Sequence, residues 1–454
     1  MRRITAILSA ILLLYGCGKI DYDYLPGDDN ADNVDWRSAY ACVFGGNGIP
    51  EYHLSISNDA WKSLLAAYDA DKNTKKYISC DVRYVKGDKE VLIPEAGLRL
   101  RGNTSRRRPE DRNGQKRHCH FSLDFHHYVK NPHHTLHGVR RVDLKWFKDD
   151  PAYVREVYCY DLFRRFGVWT AINDVYCRLW LKVGDGKETY YGVYGMLEHI
   201  DRNYLLARRK QFGSADGNLW KCSYGADLRR TANDFGLDVN GKDHVYELKE
   251  GPAGLEPAKE QLTHFISNLN CLFDDALYEW LESVMDIDLF LRTYAVNVAV
   301  GMWDDYWNNC NNYYLYFTPE GRVFFIPFDY DNTIGTTKDC GAQKDAGRHS
   351  PLQWGQKGNP LVLKILQNEA WKEKYISYLK ELCVAEGGLN TEAAAARRIS
   401  EWQDAIAPYV SNDTNEDMTI SDKPADWSNH KEYRLLSSDG NNFFRVKAGI
   451  VSQL

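Results

Sequence analysis

The stretch "FFIPFDYDNTIG" at residues 324–335 is an apolar run broken by Asp329 and Asp331. It reads as a buried strand that delivers two carboxylates, one residue apart, to the mouth of a core. Carboxylates taken out of water are costly unless a cation or a proton compensates them. Any fold of this chain therefore has to bring a cation or a proton to that point. The segment before it ("NYYLYF", a "TPEG" turn and "RVFFIPF") reads as a hairpin running straight into Asp329. Further upstream, Ile287, Phe290, Leu291, Tyr294 and Val298 recur at helical spacing behind Asp286 as cap, and the polar loop "MWDDYWNNCN" follows Gly301.

The first half carries a different pattern. From Trp36 the segments "EYHLSIS", "KKYISCDVRYV" and "GLRLRGN" are short and alternating, as strands are, with a helical turn or two in "DAWKSLLAAY". Its principal helix is "DDPAYVREVYCYDLFRRFGV". Asp150 is placed to cap it, Pro151 suits the first helical position, and Val154, Tyr158, Leu162 and Phe166 share a face until Gly167. A hairpin, "VYCRLWLKV" and "ETYYGVYGMLEHI", follows. From about residue 255 the chain reads as mainly helical, except for the hairpin before Asp329.

The start of the chain speaks to compartment. Arg2 and Arg3, an apolar run from Ile4 to Tyr15, and Gly16-Cys17 have the form of a secretory signal, too short for a comfortable membrane span. "LLYGC" also fits a bacterial lipobox, with Cys17 lipidated as the mature N-terminus. Residues 18–35 are acidic and nearly free of aliphatic side chains, as a flexible tether is. The reading is an exported body anchored by its N-terminal lipid to the bacterial cell envelope, the outer membrane first. Of eleven cysteines, the ten beyond Cys17 could pair in an oxidising compartment. At 44% hydrophobic over 454 residues the chain can build a large core or two lobes, and a net charge of −6 gives no support for nucleic-acid binding.

Two chemistries fit the aspartates. "DYDNT" matches the DxDxT of phosphatases that use the first aspartate as nucleophile, but the helical remainder after Thr333 lacks the alternating strands such a fold needs. Phosphoryl transfer from ATP needs an aspartate that orients the attacking hydroxyl, and an amide and a carboxylate that hold a divalent cation. Asp304, Asn309 five residues later, and Asp329 after the hairpin follow that order.

At this point the chain resembles a family, the CotH (spore coat protein H) kinases, in their lipoprotein form. "GLRLRGNTSR", "FKDDPAYVREVYCYDLFRRFGV", "YYGVYGMLEHIDRNYL", "GNLWKC", "DDYWNNCNNYYLYF" with "RVFFIPFDYDNTIG", and "SPLQWGQKGNPLVLKIL" resemble the family's segments in order, across residues 97–367. The resemblance implies an α+β, bilobal, protein-kinase-like fold. Its mostly antiparallel β N-lobe would span 36–200 and its mainly helical C-lobe 201–454, behind a signal at 1–17 and a tether at 18–35. The implied activity moves the γ-phosphate of ATP to a Ser or Thr hydroxyl of a secreted or cell-surface protein, with Mg²⁺ or Mn²⁺. The alternative is a catalytically degenerate surface lipoprotein that binds a nucleotide, a glycan or a protein partner.

Roles follow by position. Asp304 matches the catalytic aspartate, with Asp305 as the neighbouring register. Asn309 is the metal amide, with Asn308 and Asn312 as rivals; Asp329 and Asp331 match the metal acids. Glu156 corresponds to the glutamate that pairs with a phosphate-contacting cation, and Glu198 falls near the adenine. The family's lysine pair after RGNSS is replaced here by His118 and His120, which leaves Arg101, Arg106 and Lys116 as cations for the nucleotide. The seven histidines of residues 118–137 read as a solvent-facing hairpin and loop rather than a metal site.

Overall fold

A computed structural model describes residues 36–454 apart from 47, 132, 230–233, 238–242, 337–344, 356–358 and 424–432. The signal, Cys17 and the tether lie outside the described residues. Seven strands close into a barrel: β1 (Glu51–Ile56), β2 (Ile78–Lys86), β3 (Lys89–Leu100), β4 (Phe121–Asp124), β5 (Arg141–Lys145), β6 (Asp174–Val183) and β7 (Thr189–Glu198). The order around it is β1-β2-β3-β4-β5-β7-β6, with neighbours antiparallel except where β1 runs parallel to β6 and closes the ring. Alternation puts Tyr52, Leu54, Leu98, Leu123, Leu144 and Met196 out of solvent, and Tyr52 Oη donates to Met196 Sδ across the interior.

A second, five-stranded sheet is made of β8 (Asn218–Cys222), β9 (Phe235–Leu237), β10 (Tyr246–Glu250), β11 (Tyr313–Phe317) and β12 (Val323–Pro327), in the order β12-β11-β8-β10-β9. One continuous hydrophobic cluster runs from the barrel through this sheet into the helices Leu255–Cys271, Ile287–Ala299 and Glu369–Cys383.

This layout overturns the expected bilobal, protein-kinase-like arrangement. The first half is a closed seven-stranded barrel rather than a kinase N-lobe, and the second half carries a sheet of its own. The reason is long-range pairing. The β1–β6 join links residues 51–56 to 178–183, and β8 hydrogen-bonds to β11 far along the chain. Local alternation marks a strand but not its neighbours.

Local details also differ. Trp36–Phe44 is a helix, not a strand, and the "DAWKSLLAAY" helix extends over Asn58–Ala70. The principal helix begins at Arg155 rather than beside Pro151, because Asp150 accepts the N–H groups of Val154 and Arg155 from outside the helix. Arg155 through Phe163 are all buried, so this helix is enclosed on every side instead of presenting one apolar face. Asp286 does cap Ile287–Ala299, accepting the Leu289 N–H at 3.0 Å. Among the described residues, Cys42, Cys80, Cys119, Cys159, Cys177, Cys222, Cys310 and Cys383 are free thiols, although an oxidising compartment would allow them to pair.

Candidate functional site

The site gathers where β5, the enclosed helix and the end of β12 converge. On β5, Val142 and Leu144 alternate with Asp143 and Lys145, and all four are buried. Lys145 thus leaves the barrel wall in a dry environment that demands counter-charge. Its Nζ meets Glu156 of Arg155–Arg165 at 2.7 Å, Asp329 at 2.5 Å and Asp331 at 3.1 Å. Burial works against the Lys145 charge, yet the three carboxylates hold it well above the ordinary lysine range. Asp143 is held by Arg101, 3.6 Å away, and by His199 at 3.0 Å.

Asp329 follows a wholly buried strand. Its backbone takes a left-handed φ of 61°, which costs a non-glycine residue about 1–2 kcal/mol. Surrounding bonds hold it there. The Asp329 N–H donates to Tyr160 Oη at 2.9 Å, Tyr330 Oη donates to Asn297 at 2.9 Å, and the Ile334 N–H donates to the Val300 carbonyl at 2.7 Å. Cys310, Asn312 and Ile334 share positive φ, so the strained positions cluster on the two loops that carry the polar groups.

Asp304 faces this cluster and its neighbour does not. Its Oδ1 accepts from Asn309 at 2.8 Å and Asn311 at 3.4 Å; its Oδ2 accepts from Asn312 at 3.2 Å and Asn332 at 3.1 Å. Burial and then Asp329 raise its pKa, against the pull of these amides. Asp305 is 1% exposed, accepts the Asn308 N–H, and is pushed by burial up to about 8. That is the position of a buried loop anchor.

The charges do not balance. Burial, with Asp329 and Glu156 adding to it, pushes Asp331 up to about 8. Glu156 is also raised, by burial first, while Lys145 outweighs burial at Asp329 and lowers it. Asp174, buried nearby, is raised well above the carboxylate range by burial and Glu156. One ammonium serves three carboxylates whose oxygens lie within 4.8 Å of one another, and Glu156 Oε1 is buried with no hydrogen bond. An all-carboxylate oxygen set with spare negative charge fits a hard divalent cation such as Mg²⁺ or Mn²⁺.

Residues 98–436 match the family described as CotH kinase protein. The chain belongs to the CotH family. Spore coat protein homolog 1 of Rhizopus delemar is 22% identical over 253 residues, covering 54% of this chain. The matched region spans 39% of that relative's own length.

Of the residues expected from the CotH resemblance, Asp304, Asn309, Asp329, Asp331 and Glu156 come together, and Arg101 stands beside them through Asp143. Asn309 bonds Asp304, whereas Glu156 joins the two aspartates in the carboxylate set. Asn308 is fully buried and donates to the Trp303 carbonyl at 2.8 Å. Lys116, Glu198 and Arg106, also expected at the nucleotide, have their partners outside the carboxylate cluster. Lys116 pairs with Glu110 and lies over the ring of Trp61 in Asn58–Ala70, 4.6 Å from its centroid. Glu198 is buried in a bidentate pair with Arg208, at 2.6 and 2.8 Å. Arg106 donates to the Lys72 and Thr74 carbonyls.

Lys145 is the residue that sequence reasoning missed. The buried cation that pairs with Glu156 is not in the segment after RGNTSR but at the end of β5. His118 and His120 are buried rather than solvent-facing, and burial, Lys145 and Arg101 keep the His120 imidazole neutral, well below the usual range. The signal was present in "RRVDLKWF": an alternating strand whose lysine falls on the face opposite Val142 and Leu144, ten residues before the Glu-bearing helix.

Proposed function

We propose that this CotH-family chain transfers the γ-phosphate of ATP to a Ser or Thr hydroxyl of a secreted or cell-surface protein. The carrying observation is the buried Lys145 bound to Glu156, Asp329 and Asp331 and facing Asp304. Asp329, Asp331 and Glu156 are the residues that would hold Mg²⁺ or Mn²⁺, and the ion would neutralise charge on the phosphate oxygens. Glu156 holds Lys145 in place, so that its ammonium is available to a phosphate oxygen once the carboxylates have another counter-ion. Asp304 orients the acceptor hydroxyl. Four amides already fill its oxygens, so the longest contact, from Asn311 at 3.4 Å, is the one that yields to the hydroxyl. The signal-like start and Cys17 support export and lipid anchorage; no helix among the described residues is long and apolar enough to cross a membrane.

A binding-only surface protein is the second reading, favoured by that full set of amides on Asp304. The deciding experiment incubates the body from Gly18 with γ-labelled ATP and Mg²⁺ or Mn²⁺, beside Asp329→Ala. Label transfer that vanishes in the variant is the expected result. Metal-dependent nucleotide binding without label would replace transfer by binding, and neither signal would sink both.

A further inference from the structure

Lys145 is the last residue of β5, and Glu156 sits in the first turn of Arg155–Arg165. The loop that joins these two partners, residues 146–154, contains neither helix nor strand. Asp149 and Tyr153 within it take left-handed φ of 62° and 60°, so local preference does not hold its shape. Much of the support comes from far along the chain. Asp417 Oδ2 accepts the Trp146 indole N–H at 2.7 Å, and the Asp417 carbonyl accepts from Tyr153 Oη. The Ser421 N–H donates to the Pro151 carbonyl at 2.8 Å, and Arg155 donates to the Lys423 carbonyl at 3.3 Å. Residues 417–423 thus grip the loop at both ends, beside Lys145 and beside Glu156. Tyr176 and Gln403 add one bond each, to the carbonyls of Tyr153 and Ala152.

This clasp is itself tied to the barrel. The Asp413 N–H donates to the Tyr190 carbonyl of β7 at 2.8 Å, and the Tyr190 N–H donates back to Asp413 Oδ2 at 2.9 Å. Glu416 accepts the His118 N–H and the Arg107 side chain, both at 2.7 Å. The Arg107 guanidinium also lies over the Trp146 ring, 5.0 Å from its centroid. Asn415 and Asp417 take positive φ of 59° and 49°, a cost that these outside bonds offset. Burial works against the Asp417 charge, yet His118, 3.5 Å away, and the Trp146 N–H keep its carboxyl below the usual range. Asp417 is therefore an ionised acceptor at neutral pH, and its bond to Trp146 is charge-assisted.

We propose that Asp417 is a positioning residue: by holding Trp146 and Tyr153 together it fixes the loop between Lys145 and Glu156, and so sets the 2.7 Å contact of that pair. It acts through these two aromatic side chains. The consequence for catalysis rests on the phosphoryl-transfer reading; the clasp itself does not.

Acetylation of lysines by limiting acetic anhydride, read residue by residue by mass spectrometry on the chain from Gly18 without ATP or metal, tests this. Asp417→Ala is expected to raise the Lys145 labelling rate about tenfold, the value of one charge-assisted bond. Lys447, wholly buried in Phe443–Val451 and donating to the Ala346 carbonyl, reports general loosening and should not change. Asp417→Asn keeps an oxygen for the indole N–H and should label more slowly than Asp417→Ala. Trp146→Phe keeps a ring but removes the donor. It should match Asp417→Ala, and it carries the test if the alanine variant does not fold. An unchanged Lys145 rate, Lys145 and Lys447 rates that rise together, or an Asp417→Asn rate equal to that of Asp417→Ala would overturn the assignment. A Lys145 rate that rises as expected in a protein that transfers no label would sink the kinase reading and leave the clasp standing.

Discussion

Replacing Lys145 by Met keeps the length and apolar stem of the side chain and removes only the ammonium. Glu156, Asp329 and Asp331 then face one another with oxygens within 4.8 Å. At an effective dielectric near 20, each such ionised pair repels by about 3–4 kcal/mol. The group escapes most of that by taking up protons, leaving the cost typical of a broken buried pair, about 3–5 kcal/mol. Folded-state carboxylate pKa values would then lie above their unfolded ones. The unfolded chain releases protons first, so stability falls as pH rises from about 4 towards 8. A divalent cation takes the place of the ammonium. Lys145→Met is therefore expected to be destabilised in chelator, more at pH 8 than at pH 6, and to regain stability in millimolar Mg²⁺ or Mn²⁺. Free of competition from the lysine, it should bind Mn²⁺ more tightly than the wild type while losing phosphate transfer. Urea unfolding followed by tryptophan fluorescence, with and without metal, reads this directly. Wild-type stability in chelator at pH 8, or no rescue by metal, would refute the electrostatic account.

Three further outcomes follow from the same geometry. Asp304→Asn removes the charge and turns one of the two oxygens that accept from four amides into a donor, and should cut transfer by about 10²–10⁴-fold without changing Mn²⁺ affinity, as steady-state kinetics and metal titration would show. Glu198→Gln breaks the buried Arg208 pair and should cost about 3–5 kcal/mol in urea unfolding, while nucleotide affinity at the Lys145 site holds. Asp305, pushed up to about 8, keeps its proton in the fold while the unfolded chain loses it above about pH 4. It should therefore remove about 1.4 kcal/mol of stability per pH unit between roughly 5 and 7, and Asp305→Asn should lessen that slope.

Much of the site was legible from local pattern. The run into Asp329 and Asp331, the Tyr313–Phe317 and Val323–Pro327 hairpin, and the Asp286-capped helix are short-range features that periodicity and capping chemistry predict. Glu156 was placed by resemblance, and its role in the carboxylate set emerged only with its neighbours. The choice between Asp304 and Asp305 could not be read locally. Adjacent residues on a turn differ in which one faces the core, and Asn297 and Tyr330, brought in from elsewhere, decide it.

The sequence by itself determined that paired aspartates end a buried strand, that a cation or a proton has to compensate them, and that the chain resembles the CotH family. Only the tertiary structure decided which residue supplies the charge. Lys145 sits far from Asp329 in the chain, and the histidines nearer the expected position are buried beside it instead. Tertiary structure also decided that seven strands close into a barrel and that a second sheet shares its core. Side-chain periodicity is a property of neighbouring residues, so it can be read along the chain. Strand order, barrel closure and ion pairing depend on which distant segments exclude water together, and that is settled only when the whole core forms.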